Sequence, residues 1–157
     1  MIKLKVYVET SVISYLASKL SYNIVNAVHQ QLTHQWWEQY RSDFKLYISA
    51  LVTQEASRGN PDEAKKRLDI LRLITEELEI TDKANALSKQ FIVKKALPKK
   101  SGNDALHIAI ATVHNMDCVV TWNLKHIANV NMHNKMLEVC KSEKYNLPII
   151  CTPEELI

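Results

Sequence analysis

Glycine is scarce in this chain, with two among 157 residues, and proline is little commoner, with four. That scarcity argues against long linkers and low-complexity tails, whose composition leans on such residues. No Gly-x-Gly-x-x-Gly follows the first apolar strand pattern, which excludes the usual dinucleotide-binding turn. Cysteine is limited to Cys118, Cys140 and Cys151. An odd number without Cys-x-x-Cys spacing, set among apolar neighbours, reads as reduced core thiols in a cytoplasmic protein. No apolar run approaches the ~20 residues that a membrane-spanning helix needs. The opening Met1-Ile-Lys-Leu-Lys-Val6 alternates apolar and charged residues and has no signal-peptide core. A formal net charge of +3 is mildly basic. It permits an anionic partner without demanding one.

What is present is an ordinary globular composition, 46% hydrophobic and 24% charged, sized for one domain over 1–157. Lys3 to Val8 alternates with the period of a strand, and Phe44 to Ala50, Leu78 to Thr81, Asp117 to Thr121 and Pro148 to Cys151 read as four more. Between them lie helical patterns. Thr10 and Ser11 can cap a short helix carrying Val12, Ile13 and Leu16. Val25, Val28, Leu32, Trp36 and Tyr40 recur at spacings of three and four. Leu51 to Arg58 reads as a short helix ended by Gly59, and Asn60-Pro61 opens another. Asp82 can cap a helix bearing Ala86, Leu87, Phe91 and Val93. Leu106, Ala109, Ile110 and Val113 give a further helix a buried side, and the region Asn131–Tyr145 adds a last one. Strands alternating with helices predict a three-layer α/β fold, a mainly parallel five-stranded sheet flanked by helices.

Such a sheet binds ligands beyond the carboxyl ends of its strands, where the strand order reverses. Glu9 follows the first strand, Glu55 lies one turn into the helix after the second, and Asn123 follows the fourth. Asp104 opens the helix that enters the fourth. Taken singly, each has a plain reading: Asp104 as a helix cap, Glu55 as a surface acid. Together they can converge. Three carboxylates a few ångströms apart repel, and a divalent cation relieves that repulsion. An all-oxygen set indicates Mg²⁺ or Mn²⁺ rather than zinc, and a hard cation there activates water and stabilises charge on a phosphoryl oxygen. Phosphodiester hydrolysis is the chemistry this pattern predicts. His107, three residues after Asp104, shares its helix face and can bond to it or assist proton transfer. Arg58, Lys100 and Lys125 each adjoin a site segment and suit phosphate contacts. Trp122 can stack on a base or cover the sheet end.

Val8-Glu-Thr-Ser11, Leu51-Val-x-x-Glu55, Asp104-Ala-Leu-His-Ile-Ala109 and Val120-Thr-Trp-Asn123 resemble, in order and spacing, the successive motifs of the PIN-domain family, which includes VapC-type toxins. The resemblance runs over about residues 3–150. It implies a sheet of order 3-2-1-4-5 and Mg²⁺- or Mn²⁺-dependent endoribonuclease activity. By position, Glu9, Glu55, Asp104 and Asn123 would form the acidic quartet, with Thr10, Ser11 and Thr121 as hydroxyl supports. An RNA substrate, an antitoxin protein and a homodimer are the partners it implies. Two positions depart from the pattern. Glu9 stands where Asp is usual, adding a methylene, and Asn123 stands where a fourth Asp is usual, removing one negative charge. The second departure keeps open a different class of function, a catalytically weakened module that binds RNA or protein. A phosphoacceptor or haloacid-type phosphatase fits poorly, since the first strand ends in Glu-Thr-Ser without Asp-x-Asp.

Overall fold

The computed structural model describes residues 2–157. Five strands, β1 (Lys5–Val8), β2 (Lys45–Ser49), β3 (Glu76–Leu78), β4 (Cys118–Val120) and β5 (Ile149–Cys151), form one sheet of order β3-β2-β1-β4-β5. Every neighbouring pair is parallel, with Tyr7 in register with Tyr47 on one side and Val119 on the other. Around the sheet lie α1 (Thr10–Ala17), α2 (Ile24–Gln39), α3 (Ala50–Ala56), α4 (Pro61–Leu71), α5 (Asp82–Val93), α6 (Gly102–Val113) and α7 (Val130–Ser142). Among the described residues no helix is long and apolar enough to cross a membrane.

β1 is central, and Val6, Tyr7 and Val8 are all fully buried, as a parallel strand covered on both faces requires. The chain leaves β1 for β2 on one side and later reaches β4 on the other. In open parallel sheets such a reversal is where ligands bind, here at the carboxyl ends of β1 and β4. α6 is the helix most enclosed by the core: Ala105 and every residue from His107 to Thr112 are buried. It stops at a Schellman turn, in which Met116 N–H reaches Ala111 O and Asn115 adopts φ 55°. Asn tolerates that left-handed conformation better than most residues, and the turn feeds the chain directly into β4.

Several boundaries differ from the sequence expectation, each for a local reason. α2 buries Gln30, Thr33, Trp36 and Trp37 but leaves Val25 and Val28 exposed. Gln30 wins its buried place by closing the preceding loop. Its amide donates to Ser18 Oγ (2.7 Å) and Lys19 O (2.8 Å) and accepts from Ser21 N–H (2.8 Å). α5 is capped by Thr81, whose side chain accepts from Ala84 N–H, rather than by Asp82. Its buried stripe is therefore Ala84, Leu87 and Phe91, and Ala86 and Val93 face outward. The third strand is Glu76–Leu78, slightly earlier than expected. α3 ends at Ala56, with Gly59 turning the chain at φ 84°. α7 stops at Ser142, where Lys144 at φ 63° breaks it before Tyr145.

Candidate active site

Glu9 is the residue that β1 delivers to the carboxyl end of the sheet. Its backbone is still extended, and its carboxylate folds back as the N-cap of α1, accepting from Ser11 N–H at 3.0 Å. Such a cap satisfies one of the orphan donors that begin any helix. Two hydroxyls complete its shell, Ser11 Oγ and Thr121 Oγ1, each donating to Oε1 at 2.5 Å. The extra methylene of Glu over Asp is thus taken up by curling over the helix start. Only 6% of Glu9 is exposed. Thr121 Oγ1 also accepts from Asn123 N–H (2.9 Å), and Ser11 Oγ from Trp122 N–H (2.9 Å). The exit of β4 and the start of α1 are therefore sewn together around one carboxylate.

Glu55 arrives from α3, after β2. Its Oε1 accepts from Thr10 Oγ1 (2.6 Å) and His107 Nε2 (2.5 Å), and its Oε2 from Asn103 Nδ2 at the longer distance of 3.3 Å. Burial pushes this carboxyl up, but His107, through its hydrogen bond and its positive charge when protonated, outweighs it together with Thr10 and Asn103 and leaves the pKa below the ordinary value. His107 is 1% exposed. Its Nδ1 lies 2.6 Å from the Tyr7 hydroxyl, which in turn lies 2.8 Å from Ser49 Oγ. Glu9, Glu55 and His107 each bring one ligand-type atom into a group whose members all lie within 4.8 Å of one another.

Asp104 stands at the first turn of α6 with different company. Ser101 is the N-cap position there and its side chain makes no capping bond. Asp104 Oδ1 accepts from Asn123 Nδ2 at 3.0 Å. Burial raises its pKa, and the charge of Glu9 adds to the rise against the opposing influence of His126 and Asn123. Asn123 is engaged at both ends, because its Oδ1 accepts from His126 N–H at 3.0 Å. The fourth position therefore gives Asp104 a donor and gives its own oxygen to the backbone.

The structure thus brings Glu9 and Glu55 into one group with His107, with the hydroxyls of Thr10, Ser11 and Thr121 all on carboxylates, while Asp104 pairs with Asn123 outside that group and near enough for the charge of Glu9 to act on it. His107 is placed differently from the expectation: it bonds Glu55 and not Asp104. Trp122 covers the sheet end. It is buried, its Nε1 donates to Thr33 Oγ1 (2.7 Å), and its ring stacks on His29 with centroids 4.0 Å apart. Arg58, Lys100 and Lys125 are exposed, and none forms a salt bridge among the described residues. Tyr7, Ser49, Asn103 and His126 were not singled out by sequence. For Tyr7 a signal existed: a central parallel strand buries both faces, and a buried phenol hydroxyl needs a partner.

The donor set suits a divalent cation. Glu9 and Glu55 are each held by hydroxyl donors, whereas Glu55 Oε2 has one long amide contact and the half-buried carboxylate of Asp104 has one side-chain donor, which leaves oxygens for a cation.

By sequence, no curated protein is significantly similar to the chain. Two solved structures share its fold. One is VapBC2 from Rickettsia felis bound to a DNA fragment from their promoter, at 15% identity and a TM-score of 0.52, covering 95% of this chain and 98% of that one. The other is Mycobacterium tuberculosis VapC20, a sarcin-ricin loop cleaving toxin, at 15% identity and a TM-score of 0.57, covering 73% of this chain and 86% of that one. The sequence family described as the PIN domain matches residues 6–129, most of the chain and all four site segments, and the protein belongs to that family.

Proposed function

We propose that this protein is an endoribonuclease that hydrolyses RNA phosphodiester bonds with Mg²⁺ or Mn²⁺, and that it serves as the toxin of a toxin–antitoxin pair. The observation that carries the reading is the meeting of Glu9 and Glu55 at the carboxyl end of a parallel sheet, with Asp104 opening α6 within reach of the charge of Glu9. Glu9, Glu55 and Asp104 would hold the cation. When bound, it supplies Lewis acidity toward a phosphoryl oxygen and a water of lowered pKa. Ser11, Thr121 and Thr10 aim the carboxylates by donating to them. Asn123 holds Asp104 at the mouth. Arg58, Lys100 and Lys125, exposed beside the site segments, would take the RNA backbone.

For the protein partner, the support is an apolar surface at the α1–α2 turn. Leu20 and Ile24 are 80% and 81% exposed, and with Tyr22 and Val28 they line a groove of ≈ 640 Å³. Apolar surface of that kind marks an interaction site more often than bare surface, and an antitoxin is the occupant the fold neighbours suggest. The three cysteines are buried free thiols, which suits a reducing cytoplasm.

A second reading has one observation behind it. Asn123 spends both ends of its amide on protein partners, so the fourth position carries neither charge nor a spare oxygen. That favours a PIN-like module that binds RNA without turnover. Cleavage of a mixed tRNA and structured-RNA pool separates the two, with Mg²⁺, Mn²⁺ or EDTA and with Asp104→Asn as control. Specific cutting that needs metal and disappears in the variant is the expected result. Binding without cutting would replace the nuclease with the module.

A further inference from the structure

The hydrogen bonds behind Glu55 can be followed proton by proton. Ser49 is fully buried, and its Oγ accepts from Val52 N–H at 3.4 Å. Its one remaining hydrogen-bond neighbour among the described residues is the Tyr7 hydroxyl at 2.8 Å. Ser49 O–H must therefore donate to Tyr7 Oη, or a buried hydroxyl proton is left without an acceptor, which costs about 1–3 kcal/mol. Tyr7 then turns its own proton to His107 Nδ1, 2.6 Å away. Burial holds that phenol well above its usual pKa, so the proton is there to give. Nε2 faces the Glu55 carboxylate, which can only accept, so in this arrangement the ring's hydrogen toward the site sits on Nε2. Nε2 is the atom 2.5 Å from Glu55 Oε1. Every donor in the chain Val52, Ser49, Tyr7, His107, Glu55 is used once and in one direction.

The opposite arrangements fail locally. A ring with its single hydrogen on Nδ1 would donate to Tyr7 Oη, send the Tyr7 proton to Ser49 Oγ and orphan the Ser49 hydroxyl proton. A bare Nε2, as a metal ligand requires, would also set a lone pair against a carboxylate at hydrogen-bond distance.

We propose that His107 is a positioning residue, held by Tyr7 and Ser49 with a hydrogen on Nε2, which orients Glu55 by saturating its Oε1 and is not itself a ligand of the cation. Although His107 belongs geometrically to the group of three potential ligands, its proton makes the site an oxygen site. Oε1, already accepting from Thr10 and His107, is closed, and Oε2 is the oxygen that Glu55 presents. This selects a hard cation over zinc or another imidazole-seeking metal. The part concerning metal rests on the nuclease reading above, whereas the hydrogen on Nε2 does not.

The test has two arms. In ¹⁵N-labelled, metal-free protein at neutral pH, His107 Nε2 should carry a hydrogen. A bare Nε2, with the ring hydrogen on Nδ1, overturns the proposal. For the second arm, Mn²⁺ affinity is measured by titration for His107→Gln and His107→Asn. The Gln amide nitrogen falls where Nε2 was and keeps the donor to Glu55, whereas Asn reaches only toward Tyr7. Gln should retain Mn²⁺ affinity within about threefold and Asn should lose about 10–100-fold. Equal losses in both variants, or nitrogen coupling from His107 in the spectrum of bound Mn²⁺, overturn it. A wild-type protein that binds no Mn²⁺ sinks the nuclease reading, and the nitrogen spectrum then decides His107 alone.

Discussion

The two halves of the site are built on different principles. On the Glu9–Glu55 side each carboxylate is wrapped by donors: two hydroxyls and a backbone N–H for Glu9, and a hydroxyl, an imidazole and an amide for Glu55. Glu55's pKa is lowered in consequence. On the Asp104–Asn123 side one amide does the work, and Asp104's pKa is raised. The first half is organised before anything binds. The second holds a half-buried carboxylate with one side-chain donor, and a cation would add the partner that burial withholds. Asp104 can be held in that condition because α6 is anchored elsewhere. Ile108 and Ile110 are fully buried, each worth about 1.5–3 kcal/mol, so the helix does not depend on its first turn.

Removing a charge from the organised half should have the largest effect. Glu9→Gln keeps the size of the side chain but discards the charge that Ser11 and Thr121 are aimed at. We expect metal-dependent RNA cleavage to fall at least about a hundredfold, the scale on which a charge-stabilising group acts. A gel assay in Mg²⁺ and in Mn²⁺ reads it, and an unchanged rate would mean that Glu9 is only a helix cap. The supports come next. Thr10→Val and Thr121→Val delete one hydroxyl each and should weaken Mn²⁺ binding by about tenfold, the lower end for an outer-shell partner. If neither shifts the titration, the organisation of this half serves folding and not the cation.

The fold was legible in the sequence because parallel sheets announce themselves through alternating periods, and a turn or a cap fixes most element starts. Asn60-Pro61 opens α4 where expected, and its side chain caps two backbone N–H groups. The misplacements came from polar residues that pay their way inside, as Gln30 does in α2. For the site, segments at strand ends pointed to Glu9, Glu55, Asp104 and Asn123. The partners of His107 could not be read. Three residues along a helix suggests Asp104, but the ring leans across to elements 52 and 100 residues away, at Glu55 and Tyr7. Periodicity describes one element at a time, and that bond depends on how three of them pack.

The weaker half can be strengthened. Asn123→Asp restores a fourth carboxylate, removes the amide donor from Asp104 and places a like charge beside it. In the absence of metal this should lower the melting temperature. With Mn²⁺ present it should tighten binding and raise the cleavage rate several-fold, because the cation then has the charge it lacked. A titration and a thermal scan with and without metal read both. Loss of stability with no gain in metal affinity would show that the amide at 123 is not what limits the site.

The smallest effects concern stability against pH, and there the halves should differ in sign. Asp104 binds its proton more tightly folded than unfolded, since its folded pKa is raised. Its ionisation therefore costs stability, in full above the folded pKa, and the cost is relieved as pH falls through the folded value toward the unfolded one. Glu55 has the lowered pKa and the reverse behaviour. Its contribution is present above the unfolded value and is lost as pH falls through the folded one. In metal-free protein at pH 7, Asp104→Asn should therefore raise the melting temperature and Glu55→Gln should lower it, each by about 1–3 °C for a chain of this size. Both differences should close on acidification below the carboxylate range. Adding Mn²⁺ should then reverse the Asp104→Asn gain, because the cation stabilises only the protein that still carries the charge. Should both variants shift the same way at pH 7, the contrast between an organised and an uncompensated half would not survive.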